Sequence, residues 1–179
     1  MLIKILIGLA VLVGLLVVLV AVQPSEFKVT RIATVAAPPS AVFAQVNDFH
    51  KWEAWSPWAK LDPAARNTFE GASAGTGAVY AWAGNSKVGE GRMTIVESRP
   101  NELVRIKLEF LKPFAATNTA EFTFKPEGDR TQVTWSMFGR NNFVGKAVCL
   151  VMNMDKTLGG EFDKGLATMK SVAEAAARN

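Results

Sequence analysis

LVRIKLEFLKPFAATNTAEFTFKPEGDRTQVTWSMF, residues 103–138, holds three strands and the short connections between them. Val104, Ile106, Leu108 and Phe110 alternate with Arg105, Lys107 and Glu109, the period of a sheet with one buried face. Strands over 116–125 and 132–138 follow, and Pro126-Glu127-Gly128-Asp129 between them is composed of turn formers. Upstream, 67–70, 77–83 and 87–97 have the same texture, the last two flanking Gly84-Asn85-Ser86. Six antiparallel strands in series, joined by short connections, predict a meander.

The segments on either side complete the architecture. Phe27, Val29, Ala33 and Val35 alternate with Lys28, Thr30 and Thr34, giving a first strand over 26–35. Arg31 falls in its apolar register and Ile32 in its polar one, so both faces are expected to be partly covered. Pro38-Pro39-Ser40 starts a helix carrying Ala41, Val42, Phe43 and Val46, because proline costs nothing in a first turn. Asp48 caps a second short helix through Glu53, which Pro57 must end. At the other end Leu158, Phe162, Leu166, Met169, Val172 or Ala173, and Ala176 form one helical stripe, with Glu161, Lys164 and Lys170 off it. Residues 143–154 are more apolar and form either a separate helix or the first half of a helix bent at Gly159-Gly160. An antiparallel sheet with one apolar face needs a cover, and the C-terminal helix is the element long enough to supply it. The expected fold is therefore α+β, a curved seven-stranded antiparallel sheet around a long C-terminal helix. A sheet curled around one helix encloses space unless large side chains fill it.

Ahead of this domain lies an uninterrupted apolar run. From Ile5 to Val22 there are 18 consecutive apolar or glycine residues, with no charge and no hydroxyl. With Met1, Leu2 and Ile3 the run reaches across a hydrocarbon core of roughly 30 Å. A cleaved signal peptide is the competing reading. Its apolar region is shorter, however, and Leu19-Val20-Ala21-Val22-Gln23-Pro24 lacks the small-x-small site that a peptidase needs. The expected organisation is a single-pass anchor over 1–22 and one domain over 23–179. Lys4 on one side and Lys28 and Arg31 on the other nearly balance under the positive-inside rule. A long first apolar segment usually leaves the following domain outside, and that orientation is the one expected here.

Further residues carry a family resemblance. They are Phe27-x-Val29-x-Arg31, Ala37-Pro38 with Val42-Phe43, and Asp48-Phe49-His50-x-Trp52-x-x-Trp55-Ser56-Pro57-Trp58. Tyr80-x-Trp82-x-Gly84-Asn85, Val88-Gly89-x-Gly91-x-Met93, Met154-Asp155-Lys156-x-x-Gly159 and Phe162-x-x-Gly165-Leu166 continue the pattern. The sequence resembles the START-like, helix-grip superfamily that includes the pollen-allergen fold and polyketide cyclases. Within it, the sequence is similar to the bacterial membrane-anchored SRPBCC, polyketide cyclase-like group. The resemblance covers about 26–172 and implies the helix-grip fold with a hydrophobic cavity for lipids, sterols, quinones or polyketides.

Candidate ligand-binding residues are Arg31, Trp55, Trp58, Tyr80, Trp82, Asn118 and Trp135. Trp52, Trp55 and Trp58 either plug the end of the sheet and pack on the long helix or line a pocket mouth. Tyr80 and Trp82 project to one face of a strand, as packing groups or as polar handles on a ligand. Asn118 shares the apolar register of Ala120, Phe122 and Phe124, where backbone, water or ligand must satisfy it; Arg31 follows the same logic on the first strand.

Other residues argue against particular chemistries. His50 is the one imidazole and has no visible nucleophile, so no catalytic residue is assigned. Cys149 reads as a small buried hydrophobe, and one His with one Cys supplies too few soft ligands for zinc; no metal or cofactor is expected. Gly75-Thr76-Gly77 leads into strand alternation rather than a helix, so it is no dinucleotide fingerprint. The glycines at 71, 75, 77, 84, 89 and 91 are attributed to turns and sheet curvature. The net charge of +4 contains no basic block, and nucleic acid is not an expected partner. The expected partners are a hydrophobic small molecule, the bilayer and, in one reading, a membrane protein. Three functions stay open: binding or transfer of a hydrophobic ligand, a cyclase-like reaction in the same cavity, and service as an accessory subunit of a membrane complex.

Overall fold

The computed structural model describes residues 1–178. Helix α1 (Leu2–Ala21) is followed by β1 (Glu26–Val35), α2 (Pro39–Val46) and a 3₁₀ helix (Phe49–Ala54). Strands β2 (Arg66–Gly71), β3 (Ala78–Ala83), β4 (Glu90–Arg99), β5 (Leu103–Lys112), β6 (Ala116–Glu127) and β7 (Arg130–Arg140) come next. Helices α3 (Phe143–Val151) and α4 (Met154–Arg178) end the chain. The strands form one antiparallel sheet in the order β1-β7-β6-β5-β4-β3-β2. The meander is thus present, and β1 closes onto its last strand, leaving β2 as the far edge. Every residue of β2 is exposed.

The helix-grip core forms on the inner face, where α4 packs across β1 and against α2. Of the stripe read from the sequence, Phe162, Leu166, Met169 and Ala173 are buried there, whereas Leu158 is half-buried and Ala176 exposed. Gly165 lets the helix approach the sheet: a methyl group at this position would lie 2.8 Å from the Trp135 ring and 3.1 Å from Pro57. Asp48 caps the 3₁₀ helix by accepting a hydrogen bond from the His50 amide at 2.9 Å.

Three local expectations are decided or corrected. Of the two readings of 143–154 the separate helix is the one observed: the chain breaks between α3 and α4 at Met152-Asn153, and α4 is continuous through Gly159-Gly160. Asn153 is the start signal, its Oδ1 accepting from the Lys156 amide at 2.9 Å. Gly159 instead makes room for Arg31, whose guanidinium would collide with any side chain at that position. Strand β4 begins at Glu90 rather than Lys87, because Gly84 to Gly89 form one turn closed by Gly84 N–H donating to Gly89 C=O at 2.9 Å. Ile32 is 60% exposed, so the outer face of β1 is open at that point.

Helix α1 has 20 residues and a mean hydropathy of 3.0, enough length and apolarity to cross a membrane or to act as a signal sequence. The structure therefore consists of one apolar N-terminal helix and one helix-grip domain.

Candidate functional site

Cross-strand register divides the inner face into rows, since facing residues on neighbouring strands share a side. A deep row runs Arg31, Trp135, Phe122, Val104. Two further rows lie toward the end where β1 begins. One runs Phe27, Gly139, Asn118, Leu108, Met93, Tyr80. The other runs Ala116, Phe110, Gly91, Trp82.

The deep row is full. Trp135 stacks on Phe162 at 4.0 Å with the rings 7° from parallel, and on Phe122 at 4.8 Å. Trp55 meets the edges of both Phe122 and Trp135. Trp52 and Trp55 are buried and donate their indole N–H groups to Val46 and Gln45 carbonyls, each at 3.0 Å. These two tryptophans plug one end of the grip. Trp135 lies in the same packed layer at 2% exposure, and its Nε1 is the one fully buried side-chain donor without a partner among the described residues.

Arg31 is drawn sideways out of this layer. Its guanidinium donates to both carboxylate oxygens and the backbone carbonyl of Asp155, at 2.8–3.1 Å, and its Nε donates to Asp163 at 3.2 Å. The paired guanidinium holds the Asp155 carboxyl below its ordinary range, against a smaller opposing effect of desolvation. Arg31 is thus a clamp between β1 and the first turns of α4, with its donors already committed to α4.

The two outer rows are covered less completely. Phe27, Tyr80, Trp82 and Phe110 are only half-buried, as are Trp58 from the loop after the 3₁₀ helix and Leu158 from α4. Phe27, Phe110, Tyr80 and Trp82 share the two outer rows and form an apolar wall there. Trp82 lies near-parallel to Tyr80 at 6.0 Å and edge-on to Phe110 at 6.1 Å, and its Nε1 donates to the Val88 carbonyl at 3.0 Å. Trp58 stands edge-on to Trp135 and Phe162, at the border of the packed layer. The Tyr80 hydroxyl donates to Asn67 at 3.0 Å, and burial, assisted by Glu53, raises its pKa.

Asn118 is buried within this wall, above Gly139 and near Phe27, and its amide has no hydrogen-bond partner among the described residues. Gly139 and Gly91 are the gaps that accept Asn118 and the Trp82 ring, since a side chain at either position would collide with them. Close packing therefore explains Gly91, whereas Gly71, Gly75, Gly77 and Gly89 have the positive φ of turn glycines.

Phe27 also borders a groove of about 560 Å³ between the segment leaving α1 and the α3–α4 junction. Gln23, Pro24, Asn141, Cys149, Leu150 and Met152 contribute to its lining. A second cleft of about 270 Å³ lies between the 54–61 loop and α4, bordered by Trp55 and by Lys60, Glu161 and Lys164, away from the wall.

Of the seven sequence candidates, the structure brings Tyr80, Trp82 and Asn118 to the outer rows. It places Trp55 and Trp135 in the packed layer, Trp58 against that layer and Arg31 at the clamp. Phe27, Phe110 and Leu158 were not among the candidates. Their apolar registers were readable, but nothing in a single strand or helix shows where its cover stops. Among the described residues no group of three or more His, Cys, Asp or Glu side chains could hold a metal.

Comparison with known proteins agrees with this architecture. The family model described as polyketide cyclase / dehydrase and lipid transport matches residues 26–174. Protein SA2116 of Staphylococcus aureus, of unknown function, superposes with a TM-score of 0.65 at 13% identity, over 88% of this chain and 99% of its own. The di-domain aromatase/cyclase StfQ of the steffimycin biosynthetic pathway gives 0.64 at 14% identity, over 87% of this chain and 53% of its own. Protein CV1439 of Chromobacterium violaceum gives 0.55 at 15% identity, over 84% and 99%. No curated protein matches the sequence.

Proposed function

Since this chain belongs to the polyketide cyclase/dehydrase and lipid transport family, we propose that it binds a hydrophobic small molecule beside a membrane. In this reading α1 is the anchor and the open end of the helix grip is the binding site. One observation carries the proposal: at the open end of the inner face Phe27, Phe110, Tyr80 and Trp82 are only half-buried, and the strand register sets the amide of Asn118 in the same rows. Apolar surface of this kind favours an apolar ligand, and a buried amide fixes the orientation of a ligand carrying one polar group. A lipid, an isoprenoid quinone or a polyketide-like ring system has that character.

The ionisable groups on the inner face favour binding over acid–base chemistry. Arg31 is committed to Asp155 and Asp163, and Tyr80 donates to Asn67 with its pKa moved away from neutrality. Carrying a lipid through water costs roughly 0.8 kcal/mol per CH₂, so an apolar wall tethered at the bilayer has an evident use.

The test is mass spectrometry of an organic extract from full-length protein purified out of its own membranes, beside an unrelated anchored protein. The expected result is one lipid-like species in stoichiometric amount, reduced in the Trp82→Ala variant. An extract matching the control, repeated after candidate lipids are supplied, overturns the proposal.

A further inference from the structure

Helix α3 exposes an apolar surface that the binding site does not explain. None of its nine residues is buried. Phe143 is 50% exposed and Val151 81%, and Val144, Leu150 and Met152 are exposed beside them. Residues 141–154 contain no acidic side chain and a single base, Lys146.

A second exposed apolar feature stands at the same end of the molecule. The β5–β6 connection carries Leu111 and Phe114, 59% and 62% exposed. Pairing of Phe110 with Ala116 and of Asn118 with Gly139 places that tip at the end of the sheet where β7 finishes and β1 starts, at the Glu26–Arg140 pair.

The position of α3 relative to α1 identifies what covers this surface. The two helices pack together, and the Lys146 ammonium donates to the carbonyl of Ala21, the last residue of α1, at 3.0 Å. Ala21 is where the apolar helix leaves hydrocarbon if α1 spans a bilayer. An element touching it cannot lie further from the headgroups than about one helix diameter, roughly 10–12 Å. A short helix with apolar side chains on its free surface and a lysine turned to the anchor has the character of an interfacial helix. At the rim Lys112 is paired with Glu90 at 2.9 Å and Glu26 lies across from Arg140, so attachment there rests on the apolar side chains rather than on free charge.

We propose that α3 and the Leu111–Phe114 tip form a membrane-docking surface lying in the boundary between headgroups and acyl chains. The proposal rests on the reading of α1 as a membrane anchor and extends it, because it fixes how the domain stands on the bilayer. The groove beside Phe27 then opens at the level of the lipid surface, and the apolar wall behind it is reached from the acyl side.

The test uses the full-length chain with Cys149→Ser, reconstituted in mixed phosphatidylcholine and phosphatidylglycerol vesicles. An environment-sensitive fluorophore is attached in turn through Val151→Cys, Phe114→Cys, Leu12→Cys and, in the turn at the opposite end of the sheet, Asp129→Cys. The expected result is a blue shift and loss of intensity to lipid-borne quenchers at 151, 114 and 12, while 129 responds only to aqueous iodide. If 12 responds to lipid but 151 and 114 respond to iodide, the docking surface is wrong and the anchor stands. If 151 and 114 respond to lipid but 12 does not, the docking surface stands and the anchor is wrong. Labels at 151 and 114 shielded from both quenchers mean that a protein covers this face, which overturns the proposal.

Discussion

The two ends of the sheet's inner face are built from the same kinds of residue and arrive at different states. Trp135 and Gly139 are four residues apart on β7, about 13 Å at the rise of a strand. Around Trp135 the rings of Trp55, Phe122 and Phe162 are almost completely enclosed. In the rows level with and beyond Gly139 the rings of Phe27, Phe110 and Trp82 stay half-buried. What differs is the cover. The deep end is closed by α2, the 3₁₀ helix and the middle of α4, whereas the segment beyond the open end is α3, which contributes no buried residue. Aromatic identity therefore does not assign a role within this sheet, and the element packed above each ring does.

The largest predicted effect tests the packed end. Phe122→Ala or Phe162→Ala should cost about 3–5 kcal/mol, because neighbouring rings cannot collapse into the space left behind. Gly165→Ala should also destabilise, by forcing α4 away from Trp135 and Pro57. Denaturant unfolding followed by tryptophan fluorescence measures these losses. At the open end, Trp82→Ala should cost less than about 2 kcal/mol, while cargo recovered in the organic extract falls. Equal losses from Trp82→Ala and Phe162→Ala would erase the distinction between the two ends.

A smaller effect sharpens the contrast. The Asn118 amide has no protein partner but is not fully enclosed, so Asn118→Leu trades a partly hydrated polar group for an apolar one at little cost to folding. Melting temperature should hold or rise slightly, by an amount equivalent to at most about 1–2 kcal/mol. Recovered ligand should fall, because the group that orients it is gone. A large drop in melting temperature would assign Asn118 to structure instead.

Much of this fold was legible in the sequence because its signals are local. The β5–β7 alternation, the turn residues Pro126 to Asp129 and the stripe through Phe162 and Met169 each needed only neighbours along the chain. The start of α4 at Asn153 was not read from the sequence, where Gly159-Gly160 offered a competing bend. That competing signal was misleading because Gly159 answers to Arg31, 128 positions away in the chain. The candidate site was legible only in part. Tyr80, Trp82 and Asn118 were marked by register, and their places in the wall follow from it. The burial of Trp135 and the outward pull on Arg31 depend on α4, which the local pattern of β1 or β7 cannot report.

Arg31 sits where the two ends meet, and it gives the smallest and most specific prediction. Its bonds to Asp155 and Asp163 hold the first turns of α4 against β1, just after the α3–α4 junction. Hydrogen bonding to Arg31 lowers the Asp155 pKa in the folded chain, so near that range the unfolded chain binds the proton more readily. The contribution is fully present above the ordinary aspartate range and is lost as pH falls through the lowered value. Asp155→Asn should therefore lower the melting temperature slightly at neutral pH and flatten its decline in acid, with parent and variant converging once Asp155 is protonated. Glu174, held low chiefly by the Ala36 amide, continues to contribute an acid-dependent slope in both proteins. Its effect is removed by comparing Asp155→Asn and Glu174→Gln singly and together. Parallel melting curves for parent and Asp155→Asn at every pH would mean that the clamp carries no net stability. The position of α4 would then rest chiefly on Phe162, Leu166 and Met169, with the Arg31–Asp163 and Ala36–Glu174 contacts beside them, and the junction would be free to move without losing stability from Asp155.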